Sequence, residues 1–179
     1  MLYMTNYSSP LGRVTLASDG SNITGLWFEG QKYYGSALDS ETVQNDGLAV
    51  FDAAKSWIDR YFAGENPDIG DLPIAPQGSE FRKSVWEILC GIPYGETISY
   101  GDIAKKIAAK LGRETMSGQA VGGAVGHNPI SVIIPCHRVV GANGSLTGYA
   151  GGIERKIKLL ELEGVDVSEM PVPISGSAV

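Results

Sequence analysis

Between Gly64 and Gly78 the chain carries Gly64-Glu65-Asn66-Pro67, Asp71-Leu72-Pro73 and Pro76-Gln77-Gly78, a stretch through which no helix can run. Whatever this chain builds, it builds on either side of that interruption, and the two sides differ in hydrophobic period. In front, Val14 and Leu16 alternate with polar residues, and the turn-forming Asp19-Gly20-Ser21-Asn22 leads into Ile23, Leu26, Trp27 and Phe28. That pattern predicts a β-hairpin or meander. Leu48, Phe51, Ala54, Ile58, Tyr61 and Phe62 then recur at three and four, as on one face of an amphipathic helix. The expectation for residues 1–76 is a small antiparallel sheet with a helix.

Behind the interruption the period is helical. Ser79 can cap a helix with Phe81, Val85, Ile88 and Leu89 on one face, stopped by Gly91 and Pro93. Ser99 can cap a second, apolar at Ile103, Ala104, Ile107, Ala108 and Leu111, with Gly112 at its end. Ser117 can cap a third through Gln119-Ala120-Val121-Gly122-Gly123-Ala124-Val125, and the last two together look like a helix-turn-helix. A final helix is expected from Ile153 to Glu163, with Ile153, Ile157 and Leu160 inward and Gly164 as its stop. These helices predict a second domain over 77–168 and an α+β chain, followed by a disordered tail at 169–179. The glycines of the third helix cost about 1 kcal/mol each relative to alanine. Either they allow tight packing against a neighbouring helix, or a large ligand such as DNA approaches the backbone there.

A chain of 179 residues can bury roughly 70% of its unfolded surface and needs no disulfide or metal to fold. No apolar run approaches the ~20 residues that cross a bilayer, and the first residues lack a signal peptide's pattern, so a soluble, cytoplasmic protein is expected. The net charge of −6 speaks against nucleic acid, yet it is unevenly placed. Residues 1–79 hold four Lys and Arg against ten Asp and Glu, whereas 99–140 hold five cations against two anions. Two cysteines and two histidines, with His137 directly after Cys136, make a poor four-ligand set, so no metal is expected.

The segment from Pro129 to Val140 carries the most chemistry. Ile130 to Ile134 reads as a buried extended run that Pro135 ends, presenting Cys136 beside His137 and Arg138. A thiol attacks only as thiolate and needs a base or cation nearby. Side chains of adjacent residues in a strand point apart, so a Cys136–His137 partnership requires a bend or a bridging water. Cys90 has no such company and reads as an inert core residue.

Pro135-Cys136-His137-Arg138-Val139, with Gly95-Glu96-Thr97-Ile98-Ser99-Tyr100, Ala120-Val121-Gly122, Asn128-Pro129 and Gly148-Tyr149-Ala150-Gly151-Gly152, resembles the O6-alkylguanine-DNA alkyltransferases. The resemblance is strong over about 79–165. It implies a ribonuclease-H-like front domain and a winged-helix-turn-helix-like back domain, and it implies that Cys136 takes the alkyl group from guanine O6 in an in-line displacement. His137 would act as base through a water, Glu163 would orient that histidine, and Tyr100 would donate to guanine N3. Asn128 would tie the third helix to the active-site segment. The carbonyls of Cys136 and Val139 and the Tyr149-Ala150 loop would wall the base pocket. Gln119, Ala120, Gly122, Ser99 and Arg138 would complete the substrate and DNA side. The partner implied is double-stranded DNA containing O6-alkylguanine, with O4-methylthymine a further candidate, met by a monomer that uses no cofactor and is spent after one turnover.

Two departures from the family pattern matter. Gln119 stands where members usually carry an arginine that fills the space of a flipped nucleotide, which predicts weaker DNA binding or slower reaction. The zinc ligands of some members' front domain are absent. Two competing functions are an alkylated-DNA recognition protein that does not accept the group, and a thiol hydrolase using Cys136 and His137.

Overall fold

The computed structural model describes residues 1–173 and divides into two compact units. The first comprises Met1–Gln77 with Pro129–Ile133, the second Gly78–Asn128 with the chain from Ile134 onward. The segment 129–133 was expected to belong wholly to the second domain. It belongs to the first because the Leu26 N–H donates to the Pro129 carbonyl at 2.8 Å and the Ser131 N–H to Leu26 at 3.0 Å.

The first unit is a four-stranded sheet in the order β3-β2-β1-β4, from β1 (Tyr3–Ser9), β2 (Gly12–Ser18), β3 (Ile23–Phe28) and β4 (Val43–Gln44). β2 and β3 form the expected antiparallel hairpin, β1, which the sequence did not mark, extends it to a meander, and β4 joins β1 in parallel. In the β2–β3 turn, the Asp19 carboxylate accepts from the N–H groups of Ser21 and Asn22. Helix α1 (Ala49–Phe62) buries Phe51, Ala54, Ile58 and Tyr61, which the three-and-four spacing marked, together with Val50 and Trp57, which it did not.

The second unit holds α2 (Glu80–Cys90), α3 (Tyr100–Lys110), α4 (Gly118–Gly126) and α5 (Ile153–Leu162), with a two-stranded parallel pair of β5 (Ile98–Ser99) and β6 (Val139–Val140). The three serines cap as expected. Ser79 accepts from Arg82 N, Ser99 from Asp102 N and Ser117 from Ala120 N. The link from α3 to α4, Leu111–Ser117, is longer than a tight helix-turn-helix turn. α4 is anchored by Trp86 of α2, whose buried Nε1–H donates to the Ala124 carbonyl at 2.8 Å.

The start of the tail departs from expectation. Leu146 N–H donates to the Pro171 carbonyl at 2.8 Å, and Met170 packs on Val140, Leu146 and Leu160. The start of the predicted disordered tail is therefore held at Met170 and Pro171; its residues beyond 173 lie outside the described residues.

Candidate active site

The extended run predicted over Ile130–Ile134 gives way after a single bridge. Only Ile130 pairs, with Leu26, and the chain then turns, with Val132 at φ 70° and Ile133 N–H bonded to Ser131 O at 2.8 Å. A buried β-branched residue at positive φ is strained backbone, held by its surroundings. Cys136–Arg138 then forms one 3-10 turn. This supplies the bend that a Cys136–His137 partnership requires.

Cys136 is buried, and burial pushes its thiol above the ordinary cysteine range. A hydrogen bond from Asn128 and the charge of Lys156 oppose that rise. Asn128 also donates through Nδ2 to Ile134 O at 2.9 Å, so the chain two residues beyond α4 is tied to the segment that leads into Cys136.

His137 has no exposed surface, and its Nε2 lies 2.6 Å from Glu163 Oε2. Burial lowers the imidazole below its ordinary value, with Glu163 pulling the other way, so the ring is neutral near pH 7. A neutral ring that donates from Nε2 to a carboxylate carries its lone pair on Nδ1, which makes Nδ1 the basic atom.

Glu163 is the residue that closes α5. Besides His137, its carboxylate accepts from Arg138 Nε at 2.7 Å, Arg138 Nη2 at 3.1 Å and Gly95 N–H at 3.1 Å. Gly95 sits at φ 79°, and a Cβ there would come within 3.0 Å of the Glu163 carbonyl, so both conformation and space require glycine. Arg138, expected on the substrate and DNA side, is turned inward instead. Its side chain is 8% exposed, and Nη1 donates to Ile92 O at 2.7 Å. An arginine with these partners is not free to meet a phosphate.

Tyr100, the first residue of α3, donates to Gly148 O at 3.0 Å, and burial with the nearby Cys136 raises its phenol well above the usual range. That keeps it a proton donor at any physiological pH. Val139 lies in β6, Ser99 caps α3, and Tyr149 stands edge-on to the His137 ring at 6.5 Å, with Ala150 half-buried next to it.

Gln119 and Ala120 are exposed in the first turn of α4, whereas Gly122 is buried. A Cβ added at Gly123 or Gly126 would meet nothing within 4 Å. Tight packing therefore does not explain those two glycines, and the smooth face that continues from Gln119 stays open to a ligand.

One residue at the site escaped the sequence reading. Lys156 is fully buried in α5, donating through Nζ to Val139 O and, at 2.7 Å, to Thr147 O. Burial pulls its pKa down to about 8, with Cys136 opposing the fall. The available signal was its place among Ile153, Ile157 and Leu160, where a lysine interrupts an inward row. Among the described residues no group of three or more His, Cys, Asp or Glu side chains is placed to hold a metal ion, and no helix is long and apolar enough to cross a membrane.

Comparison with known proteins gives a consistent answer for both units. Residues 2–76 match the family described as 6-O-methylguanine DNA methyltransferase, ribonuclease-like domain, and residues 80–165 match its DNA binding domain. A methylated-DNA–protein-cysteine methyltransferase of Haemophilus influenzae is 42% identical over 92% of this chain and 87% of its own length. A namesake from Mycobacterium tuberculosis is 45% identical over 91% and 93%. The crystal structure of Mycobacterium tuberculosis O6-methylguanine methyltransferase superposes with a TM-score of 0.77 over 91% of this chain and 93% of that one, at 45% identity. That of the Mycobacterium tuberculosis OGT protein in complex with DNA gives 0.79 over 94% and 95%, at 43% identity. With matches spanning both units and relatives above 40% identity across nine-tenths of its length, the protein belongs to the 6-O-methylguanine DNA methyltransferase family.

Proposed function

We propose that the chain repairs double-stranded DNA by taking the alkyl group from O6-alkylguanine onto Cys136, once per molecule. The observation that carries this reading is the buried 3-10 turn placing Cys136 next to a histidine whose Nε2 is bonded to Glu163. In the proposed step the Cys136 thiol yields its proton to His137, and the sulfur attacks the alkyl carbon attached to O6. The S–C bond forms as the C–O bond breaks, and the electron pair passes into the guanine ring. Tyr100 donates to N3, so guanine leaves neutral, and the thiol's proton is in net terms the one that guanine gains. The imidazolium formed in between is stabilised by the Glu163 carboxylate. A thioether is a poor leaving group, which makes the step stoichiometric.

Asn128 and Lys156 support the reading because both favour the charged sulfur, against the burial that otherwise disfavours it. The open glycine face of α4 supports close approach of DNA with the target nucleotide flipped, Gln119 occupying the vacated place. Val139, Tyr149 and Ala150 would line the base pocket, and Ser99 and Ala120 would lie toward the DNA backbone. We also place the protein in the cytoplasm, acting as a monomer.

The test is an intact-mass spectrum after mixing with duplex DNA bearing one O6-methylguanine. A stoichiometric gain of one CH2 on the peptide containing Cys136, absent in Cys136→Ser, is expected. Binding without mass gain would instead identify a damage-recognition protein, the reading that exposed Gln119 favours.

A further inference from the structure

Glu163 is heavily engaged within the site, and two of the four hydrogen bonds described to its carboxylate come from Arg138. Oε1 accepts from Arg138 Nε and Gly95 N–H, and Oε2 from His137 Nε2 and Arg138 Nη2. The guanidinium thus grips both oxygens in a fork, while its remaining arm holds Ile92 O and its Cζ lies 5.7 Å from the centre of the Tyr94 ring. Tyr94 in turn donates to Leu162 O at 3.2 Å, beside Glu163. The loop after α2 and the end of α5 are clasped together through one arginine.

Such a clasp has a chemical consequence for the base. A buried carboxylate whose one ionic partner is a histidine pulls that histidine toward imidazolium. A permanently charged arginine on the same carboxylate satisfies it first and repels a proton on the ring, as the opposed influences of Glu163 and Arg138 on His137 reflect. We propose that Arg138 is a positioning residue of the transfer reaction: by fixing and neutralising Glu163, it presents His137 with Nε2 directed at the carboxylate and Nδ1 ready to accept the Cys136 proton. The reaction half of this inference rests on the function proposed above; the His137 half does not.

The groups facing His137 are Lys156 from α5, Glu163 at the end of that helix, Arg138 from its own turn, and the Tyr149 ring from the following loop. Among these, Arg138→Gln removes one positive charge. The imidazole of His137, followed by NMR titration of the unreacted protein, should then titrate at least one pH unit higher. The acid limb of the single-turnover rate against pH should move up by the same amount. Arg138→Lys keeps the charge and loses the fork, so the acid limb should stay in place while the rate falls at least fivefold at every pH. An unmoved His137 titration in Arg138→Gln, or a rate within twofold of the parent in Arg138→Lys, overturns the proposal. Should Arg138→Gln not fold, the Arg138→Lys rate alone decides. A parent protein that gains no mass from methylated DNA overturns the proposed function, and the titration still decides the role of Arg138.

Discussion

His137 and Glu163 stand 26 residues apart in sequence and 2.6 Å apart in space, both with side chains entirely shielded from solvent. A carboxylate–imidazole pair this well buried is only weakly screened by salt, and it makes the protein sensitive to acid.

Burial holds His137 below the ordinary imidazole value of 6.5. The unfolded chain therefore binds a proton that the native ring declines. This contribution to stability is fully present above pH 6.5 and is lost progressively as the pH falls below it. Urea midpoints between pH 7.5 and 5 should decline in the parent and decline less in His137→Gln. The lowered carboxyls of Asp19 and Asp46 act further down, around and below 3.8, and do not confuse that window.

Tyr100→Phe removes the donor that now bonds Gly148 O. The single-turnover rate should fall about 100-fold or more, through loss of the proton donor. Stability should fall by only about 1 kcal/mol, because one neutral hydrogen bond is lost. Rapid-quench kinetics alongside thermal unfolding separate the two effects, and equal losses in both would remove Tyr100 from the chemistry.

Lys156→Met exchanges a desolvated ammonium for an apolar side chain of similar length. Relief of the desolvation penalty opposes the loss of donors to Val139 and Thr147, so stability should change by no more than about 2 kcal/mol in either direction. The thiolate of Cys136 loses the charge of a cation that favours it, so the pH needed for half-maximal transfer should rise. A profile superimposable on the parent's would show that Lys156 only braces the loop.

Gln119→Arg adds a cation on the exposed first turn of α4. DNA binding should tighten, the slope of log affinity against log salt should steepen by about one, and methyl transfer should accelerate. Filter binding at three salt concentrations is sufficient to check the slope.

Much of this was legible in the sequence because the informative features are local. The three serine caps, the α1 face and the 79–165 motifs depend on residues within a turn or two of one another. β1 was missed because its inner row is Tyr3, Thr5 and Tyr7, too polar to read as a buried face, and β4 is only two residues long. Arg138 was grouped with the substrate and DNA side on the resemblance, because the residues beside a reactive cysteine give no hint of a partner 25 residues further on. Its true partner, Glu163, comes close only when α5 folds back over the turn. Lys156 escaped for the opposite reason, since a lysine is expected in water and only tertiary structure shows otherwise.

The Trp86–Ala124 hydrogen bond has a dynamic consequence. Helix α4 has nine residues, several of them glycine, and such a segment would not hold its shape alone in water. Its amide protons should therefore exchange through an opening governed by the indole of α2 and not by its own sequence. The helix we propose as the DNA-facing element is thereby held from behind by one indole, and Trp86→Phe should loosen it while the rest of the unit keeps its protection.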